Sequence, residues 1–284
     1  MTTTISNAIL TAEIKHAGAE LCSLVKRATS REYMWQADPK FWAKHSPILF
    51  PIVGTLKDNS YTYDDAKYVL SRHGFARDLT FDLIDKKEDS ATFSLHSNET
   101  TLEVYPFAFE LQVKYSLEST SLKVDYLVVN NGDHILPFSI GAHPAFSLPL
   151  AFDRYGLEFE KEEKLSYHLL ENNLLTTVTE DLVAIDRKVA LQYTLFERDA
   201  LIFKTLQSNS ITIIEETTPL LAVHYKKFPN LGIWTMQNAP FLCIEPWYGY
   251  SDTMESSGKL VEKEAVVVIA SGTRFETTYS IEIL

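Results

Sequence analysis

Apolar and polar residues alternate along much of this chain, most clearly in residues 107–129. Two alternating arms, 109–117 and 122–128, flank the polar stretch 118–121. A period of two on both sides of a short polar loop predicts a β-hairpin. Helical periodicity over a dozen residues is almost absent, so the chain is expected to fold mainly as strands.

Similar strand-like runs recur along the whole sequence. They are residues 91–96, 156–160, 200–206, 210–214, 220–224, 231–237, 241–245, 266–270 and 274–283. Only two short helical turns are expected, at 38–42 and 98–103. Many short strands without helices between them predict an all-β fold, a large antiparallel β-sandwich. With no linker and no internal repeat, we expect one domain over residues 1–284.

Charge and cysteine content limit the classes of binding partner and the cellular compartment that are expected. The formal net charge is −12, with 26 basic and 38 acidic side chains, which disfavours nucleic acid and anionic membranes. No apolar run approaches the ~18 residues of a membrane span, and the N-terminus lacks the features of a signal peptide. Two isolated cysteines, Cys22 and Cys243, fit a reducing compartment without disulfides. A cytoplasmic protein is therefore expected. Its oligomeric state, monomer or homodimer, stays open.

His143 is one candidate for acid–base chemistry. It follows a strand-like run, with Gly141 two positions before it and Pro144 directly after it. Glycine allows a tight turn, and the proline biases His143 to an extended conformation. Its imidazole can exchange a proton near neutral pH. The alternative is a hydrogen-bonded histidine that caps a turn.

Glu245 is the second candidate. It ends the apolar run 241–244, and burial against such a run raises a carboxyl pKa towards the range of a general base. Trp247, two residues later, could stack on a sugar ring. The alternative is a structural carboxylate paired with arginine.

His73 and Arg77 lie four residues apart and could reach one cleft. The planar guanidinium of Arg77 suits hydroxyl pairs, carboxylates or phosphate. The alternative is a surface arginine paired with Asp78. Because no metal-ligand spacing, phosphate-binding loop or dinucleotide motif is present, no catalytic metal and no cofactor are expected.

Taken in order, four segments resemble the aldose 1-epimerase (galactose mutarotase) superfamily, and specifically its divergent bacterial branch related to lactose operons. The four segments are Leu49-Phe50-Pro51-Ile52-Val53-Gly54, His73-Gly74-Phe75-Ala76-Arg77-Asp78, Gly141-Ala142-His143-Pro144-Ala145-Phe146 and Ile244-Glu245-Pro246-Trp247. They span most of the chain, so the resemblance covers the whole domain.

The resemblance implies a sugar cleft on one concave face of a mutarotase-like sandwich. It implies that His143 is the general acid and Glu245 the general base of anomer interconversion. It places His73 and Arg77 in the sugar site, with Trp247 as an adjacent wall. The activity implied is a cofactor-independent aldose 1-epimerase, an isomerase acting on a small sugar.

One segment departs from the family pattern. Classical members carry an Asn-Arg-containing segment after the early glycine, where this chain has Gly54-Thr55-Leu56-Lys57. Three other functions stay open: a hexose-6-phosphate 1-epimerase, in which Arg77 with Arg72 or Lys57 holds the phosphate, a non-catalytic carbohydrate-binding or sensing sandwich, and a glycoside hydrolase. The last usually needs two acidic residues, and only one well-placed carboxylate is evident.

Overall fold

A computed structural model describes residues 1–284 and shows 25 strands, five single-turn 3₁₀ helices and one short α-helix. Every strand pair in its sheets is antiparallel, so the predicted all-β antiparallel fold is confirmed. No helix is both long and apolar enough to span a bilayer.

Strands account for nearly all of the regular structure. In chain order, the strands and the α-helix are β1 (Thr2–Ser6), β2 (Leu10–Lys15), β3 (Leu21–Lys26), β4 (Arg31–Glu32), β5 (Ile48–Leu49), β6 (Ser60–Tyr63), β7 (Ala66–Val69), β8 (Asp82–Lys86), β9 (Ser90–His96), α1 (Glu99–Val104), β10 (Phe109–Glu118), β11 (Ser121–Asn130), β12 (Leu136–Phe138), β13 (Ile140–Ala142), β14 (Ala145–Ser147), β15 (Tyr155–Phe159), β16 (Leu165–Glu171), β17 (Leu174–Leu182), β18 (Lys188–Ala190), β19 (Leu201–Phe203), β20 (Ser210–Glu215), β21 (Thr218–His224), β22 (Asn230–Trp234), β23 (Phe241–Tyr248), β24 (Val267–Ile269) and β25 (Arg274–Ile283). The 3₁₀ helices are Lys57–Asn59, Ala76–Asp78, Phe152–Arg154, Tyr193–Phe196 and Leu260–Glu262.

Two large sheets dominate the architecture. The nine-stranded sheet has the order β18-β15-β20-β21-β25-β11-β10-β9-β8, and the eight-stranded sheet runs β17-β16-β19-β22-β23-β13-β5 with β14 also paired to β23. A four-stranded sheet, β1 to β4, comes from the N-terminal residues, and β12-β24 and β6-β7 form two-stranded ribbons. The N-terminal sheet was not among the predicted strands.

The predicted hairpin is present as β10 and β11. Leu117 lies opposite Leu122, and the turn is Ser119 and Thr120. Alternate residues of both strands are buried, which is the period-two pattern of the sequence. These inward side chains belong to the main hydrophobic core.

Aromatic contacts join the two large sheets. Phe159 of the nine-stranded sheet meets Phe203 of the eight-stranded sheet with ring centroids 6.3 Å apart. Phe50, just after β5, packs on Phe109 of β10 at 5.0 Å. The two sheets therefore share one apolar interior, as the packed layers of a sandwich do.

The predicted helical turns differ in outcome. Residues 98–103 contain α1, and the Asn98 side chain caps it by accepting from the N–H of Thr101. Near residue 38 there is only a hydrogen-bonded turn, in which the carboxylate of Asp38 accepts from the N–H of Lys40 at 2.9 Å.

Strand β23 is buried on both of its faces, which is exceptional for an antiparallel strand. Leu242 and Ile244 point into the main core. Cys243 and Trp247 point to the opposite face, where they belong to two small apolar clusters. Glu245 shares that second face because the side-chain period of a strand is two. This face carries the candidate site.

Candidate functional site

A cavity of about 410 Å³ opens on this second face of β23. The cavity contains all five residues that the sequence analysis singled out. Its lining consists of Trp42, Arg72, His73, Arg77, His143, Asp199, Ala200, Trp234, Met236, Glu245 and Trp247.

Strand pairing brings His143 to Glu245 although 102 positions separate them. On either side of His143, β13 and β14 both pair with β23. Gly141 lies opposite Trp247 and Ala145 lies opposite Cys243. His143, midway between these two residues, therefore faces Glu245, and its Nε2 is 3.1 Å from the carboxylate Oε2.

Trp247 fits beside the pair because glycines occupy the neighbouring strands. A Cβ on Gly141 of β13 or on Gly232 of β22 would lie 2.5 Å from an atom of the indole. The indole is almost fully buried, with 4% exposure. Trp247 thus borders the cavity as a fixed wall rather than as an open stacking platform.

His73 accepts one hydrogen bond, and a second N–H group lies close to its other ring nitrogen. The N–H of Gly54 donates to its Nδ1 at 3.1 Å, and Nε of Arg72 approaches its Nε2 at 3.1 Å. Burial lowers the pKa of His73 well below its usual value, with a further contribution from the charge of Arg72. The ring is therefore neutral at physiological pH.

Arg77 lines the cavity with a partly satisfied guanidinium. Its Nη2 donates to the backbone oxygen of Arg72 at 2.7 Å, and its Nε lies 3.7 Å from the carboxylate of Asp78. The pairing with Asp78 considered from the sequence exists, but it does not remove Arg77 from the cavity.

Burial moves the pKa values of the central pair in opposite directions. Burial is the largest cause that lowers the pKa of His143 to about 3, with Arg72 and Arg77 adding to the effect. Burial raises the pKa of Glu245 well above its usual value, while the charge of Arg72 opposes the rise. The low pKa of His143 disfavours a second proton on the pair, and the high pKa of Glu245 disfavours loss of the first. The pair of His143 and Glu245 therefore holds one proton over a wide pH range.

Unpaired polar atoms concentrate in this cavity. Four buried side-chain atoms of lining residues form no hydrogen bond: Nε of Arg77, Nδ1 of His143, Nε1 of Trp247 and Oε2 of Glu245. The 3.1 Å contact of Oε2 with Nε2 of His143 lacks hydrogen-bond geometry. Buried polar groups are normally hydrogen-bonded, so unpaired ones mark a place where a polar ligand completes the network. Donors and acceptors at this density suit a small polyhydroxylated molecule.

Several lining residues were missed by the sequence analysis. The Trp42 indole stacks on the ring of His143, with centroids 4.8 Å apart and an angle of 28°. Trp234 meets the same ring edge-on at 5.8 Å. Asp199 faces Arg72 across the cavity, with Oδ2 3.8 Å from Nη1. The aromatic richness of the chain was the only available signal, and it does not say which tryptophan lies where.

The segment that departs from the family pattern stays outside the cavity lining. The N–H of Thr55 donates to Oγ of Ser251, and the N–H of Lys57 donates to the carboxylate of Asp252. The Lys57 ammonium donates instead to the backbone oxygen of Ser256 at 3.4 Å. Of the three residues considered for a substrate phosphate, only Arg72 and Arg77 line the cavity, and Lys57 does not.

Comparison with known proteins gives a consistent result. The aldose 1-epimerase family model matches residues 1–266. The chain is 35% identical to the chromosomal protein LacX of Lactococcus lactis subsp. lactis, over all of both chains. Among solved structures, a galactose mutarotase related enzyme of Lactobacillus acidophilus has 33% identity and a TM-score of 0.96, covering 100% of this chain and 97% of that one. A galactose mutarotase-like protein of Lactobacillus casei ATCC 334 has 31% identity and a TM-score of 0.94, covering 100% of both.

Proposed function

Because the chain belongs to the aldose 1-epimerase family, we propose that it interconverts the α and β anomers of an aldose through acid–base catalysis by His143 and Glu245. The observation that carries the proposal is the contact of 3.1 Å between a buried imidazole and a buried carboxyl group in a polar cavity. The reaction needs only proton transfer, so no cofactor enters it.

The proposed reaction opens and recloses the sugar ring. Glu245 removes the proton of the anomeric hydroxyl while His143 donates a proton to the ring oxygen, and the C1–O5 bond breaks. The open-chain aldehyde then rotates about the C1–C2 bond and presents the other face of its carbonyl. On reclosure the ring oxygen returns its proton to His143, and Glu245 protonates the new anomeric oxygen.

The location of the single proton decides whether the pair is productive. Burial favours the neutral form of each partner, which favours the proton on Glu245. The proposed first step instead needs the carboxylate and the imidazolium. The charge of Arg72 favours the carboxylate but disfavours the imidazolium, whereas a hydroxyl of the bound sugar donating to Glu245 favours the carboxylate alone.

The remaining lining residues supply binding and orientation. His73 and Arg77 offer hydrogen bonds to ring hydroxyls. Trp42 and Trp234 give the apolar face of a pyranose an aromatic surface, since both are more exposed than Trp247. Holding the sugar between these groups lowers the entropic cost of the reaction.

A hexose-6-phosphate 1-epimerase is the second candidate, because two guanidinium groups, those of Arg72 and Arg77, line the same cavity. Arginine forks bind phosphate oxygens well. Measuring anomer exchange by NMR on glucose and on glucose 6-phosphate separates the two candidates. A much higher kcat/KM for the phosphorylated sugar would favour the second one.

The acid–base assignment is tested with His143→Ala and Glu245→Gln, followed by polarimetry. Each substitution should lower kcat by about 10²–10⁴-fold, the usual contribution of a positioned proton-transfer group. The chain offers a matched control pair outside the cavity, since Nε2 of His224 lies 2.9 Å from Oε2 of Glu282. His224→Ala and Glu282→Gln should leave kcat unchanged.

Two outcomes would contradict the proposal. Full activity in either cavity variant removes that residue from the mechanism. Sugar binding by the unaltered protein without any acceleration of anomer exchange favours a carbohydrate-binding or sensing protein instead.

A further inference from the structure

A third side chain with metal-binding capacity adjoins the proposed acid–base pair. The thiol of Cys243, a ring nitrogen of His143 and a carboxylate oxygen of Glu245 all lie within 4.8 Å of one another. All three residues are buried, and Cys243 forms no disulfide. No function described above uses this thiol.

The strand geometry fixes this cluster. Cys243 and Glu245 are two positions apart on β23, so their side chains leave the same face. His143 joins them because the strands before and after it pair with β23 on either side of Glu245. The three ligand atoms thus come from three backbone positions held by the central part of the eight-stranded sheet.

We propose that His143, Cys243 and Glu245 bind a zinc ion at the floor of the cavity, and that this ion excludes the sugar. Thiolate sulfur, imidazole nitrogen and carboxylate oxygen are the ligands that Zn²⁺ takes in proteins. Three protein ligands leave a fourth position of the tetrahedron open. His143 and Glu245 line the cavity, and Cys243 is fully buried beside them and is not among the lining residues.

The distances are close to those that zinc requires. Bonds of about 2.0–2.3 Å place tetrahedral ligand atoms about 3.5 Å apart. The imidazole and the carboxylate already lie 3.1 Å apart. The longest separation between ligand atoms in the cluster is within 4.8 Å. Side-chain rotations that move these atoms by about 1 Å would bring them to the spacing of zinc ligands.

Two further features favour an ion here. Oε2 of Glu245 is buried, and its 3.1 Å contact with Nε2 of His143 lacks hydrogen-bond geometry, so this oxygen of a residue only 1% exposed forms no hydrogen bond. A dication bound by one thiolate, one carboxylate and one neutral imidazole forms a complex without net charge, which suits a buried position. On binding, the ion releases the thiol proton, and the carboxyl proton where present, to water.

The consequence for activity rests on the proposed function. Zinc would bind the lone pairs of both proton-transfer groups at once and would occupy the position of the sugar's anomeric centre. Inhibition should therefore be competitive with the sugar. A hard cation such as Mg²⁺, which prefers oxygen ligands, should not inhibit.

Cobalt(II) tests the site independently of catalysis, because it substitutes for zinc and its thiolate complexes absorb strongly in the near ultraviolet. Adding Co²⁺ to the unaltered protein should produce this charge-transfer absorption, and Zn²⁺ should abolish it. Both Cys243→Ser, which replaces the thiol by a smaller hydroxyl, and Cys243→Ala should lose the absorption. The matched control is Cys22→Ser, because Cys22 is also buried and belongs to no such cluster.

The activity measurement follows the same variants. Zn²⁺ should raise the apparent KM of the unaltered protein, and each Cys243 variant should resist zinc relative to its own metal-free rate. Absence of the cobalt absorption, or its persistence in the Cys243 variants, overturns the zinc site. If the absorption behaves as expected but no anomer exchange is found, the zinc site stands and the proposed function fails.

Discussion

Arg72 shows how one charged residue couples several parts of the candidate site. Its guanidinium approaches Nε2 of His73, donates to the amide oxygen of Asn173 at 3.1 Å and lies 3.8 Å from Asp199. Burial raises the pKa of Glu245, and the charge of Arg72 is the largest effect that lowers it again. The arginine therefore favours the carboxylate that the proposed mechanism needs, although its charge also disfavours the imidazolium of His143.

The first prediction removes this charge. Arg72→Gln should lower kcat about tenfold, because the carboxylate form of Glu245 loses its nearby cation. Initial rates at pH 7, followed by polarimetry under saturating sugar, measure the effect. Arg198→Gln is the control, since Arg198 pairs at the surface with Glu180. An unchanged kcat in Arg72→Gln would show that the cation does not tune the base.

At the scale of elements, the wall of the cavity depends on how closely β13 and β22 approach the indole of Trp247. Gly232 of β22 and Gly141 of β13 lie on either side of β23 and leave the space that Trp247 fills. The glycines thus have a packing role, since larger residues on either strand would displace the indole and with it the wall of the site.

The second prediction therefore concerns Gly232→Ala. A new Cβ would lie 2.5 Å from the Trp247 ring, and relieving such an overlap in a packed interior costs about 1–3 kcal/mol. Urea unfolding measures the loss, and the KM for the sugar should rise as the indole moves. Gly132→Ala is a suitable control, because its nearest contact would be 3.5 Å. Equal stabilities of the two variants would contradict the close-packing argument.

At the scale of the whole molecule, an ion pair connects the N-terminal sheet to the nine-stranded sheet. Arg31 of β4 donates from both of its terminal nitrogens to Glu215 of β20, with Nη1 3.3 Å from Oε1. The hydrogen bond from Arg31 is the largest cause that lowers the pKa of Glu215 below its usual value. The carboxylate is about a quarter exposed, so solvent screening limits its contribution.

The third prediction follows from this lowered pKa. A carboxylate whose pKa is lower in the folded state stabilises the fold above its unfolded pKa of about 4.3, and this stabilisation is lost as the pH falls through the folded value. Glu215→Gln should therefore cost about 1 kcal/mol at pH 7. The difference from the unaltered protein should shrink below about pH 4.

Urea unfolding at a series of pH values makes the measurement. Glu216→Gln is the control, because Glu216 pairs with Arg154 at an exposed position. A difference for Glu215→Gln that stays constant down to pH 3 would show that the cost does not come from its charge.

The local alternation of apolar and polar residues was sufficient to predict the hairpin of β10 and β11. The alternation in residues 109–117 and 122–128 predicted the hairpin, because a strand with one face in the core must bury every second side chain. It was insufficient for β4 and β5, which have two residues each and too few positions to show a period. Their pairing partners lie far away in sequence, and tertiary contact alone determines them.

By itself, the sequence determined the class of fold and the residue types that an acid–base site requires, since period-two patterning and the identities of His143 and Glu245 are local properties. Only the tertiary structure brought these two side chains to 3.1 Å and surrounded them with Trp42, Arg72 and Asp199. The physical reason is that both the separation of groups remote in the chain and the burial that shifts their pKa values depend on how strands pair and sheets pack.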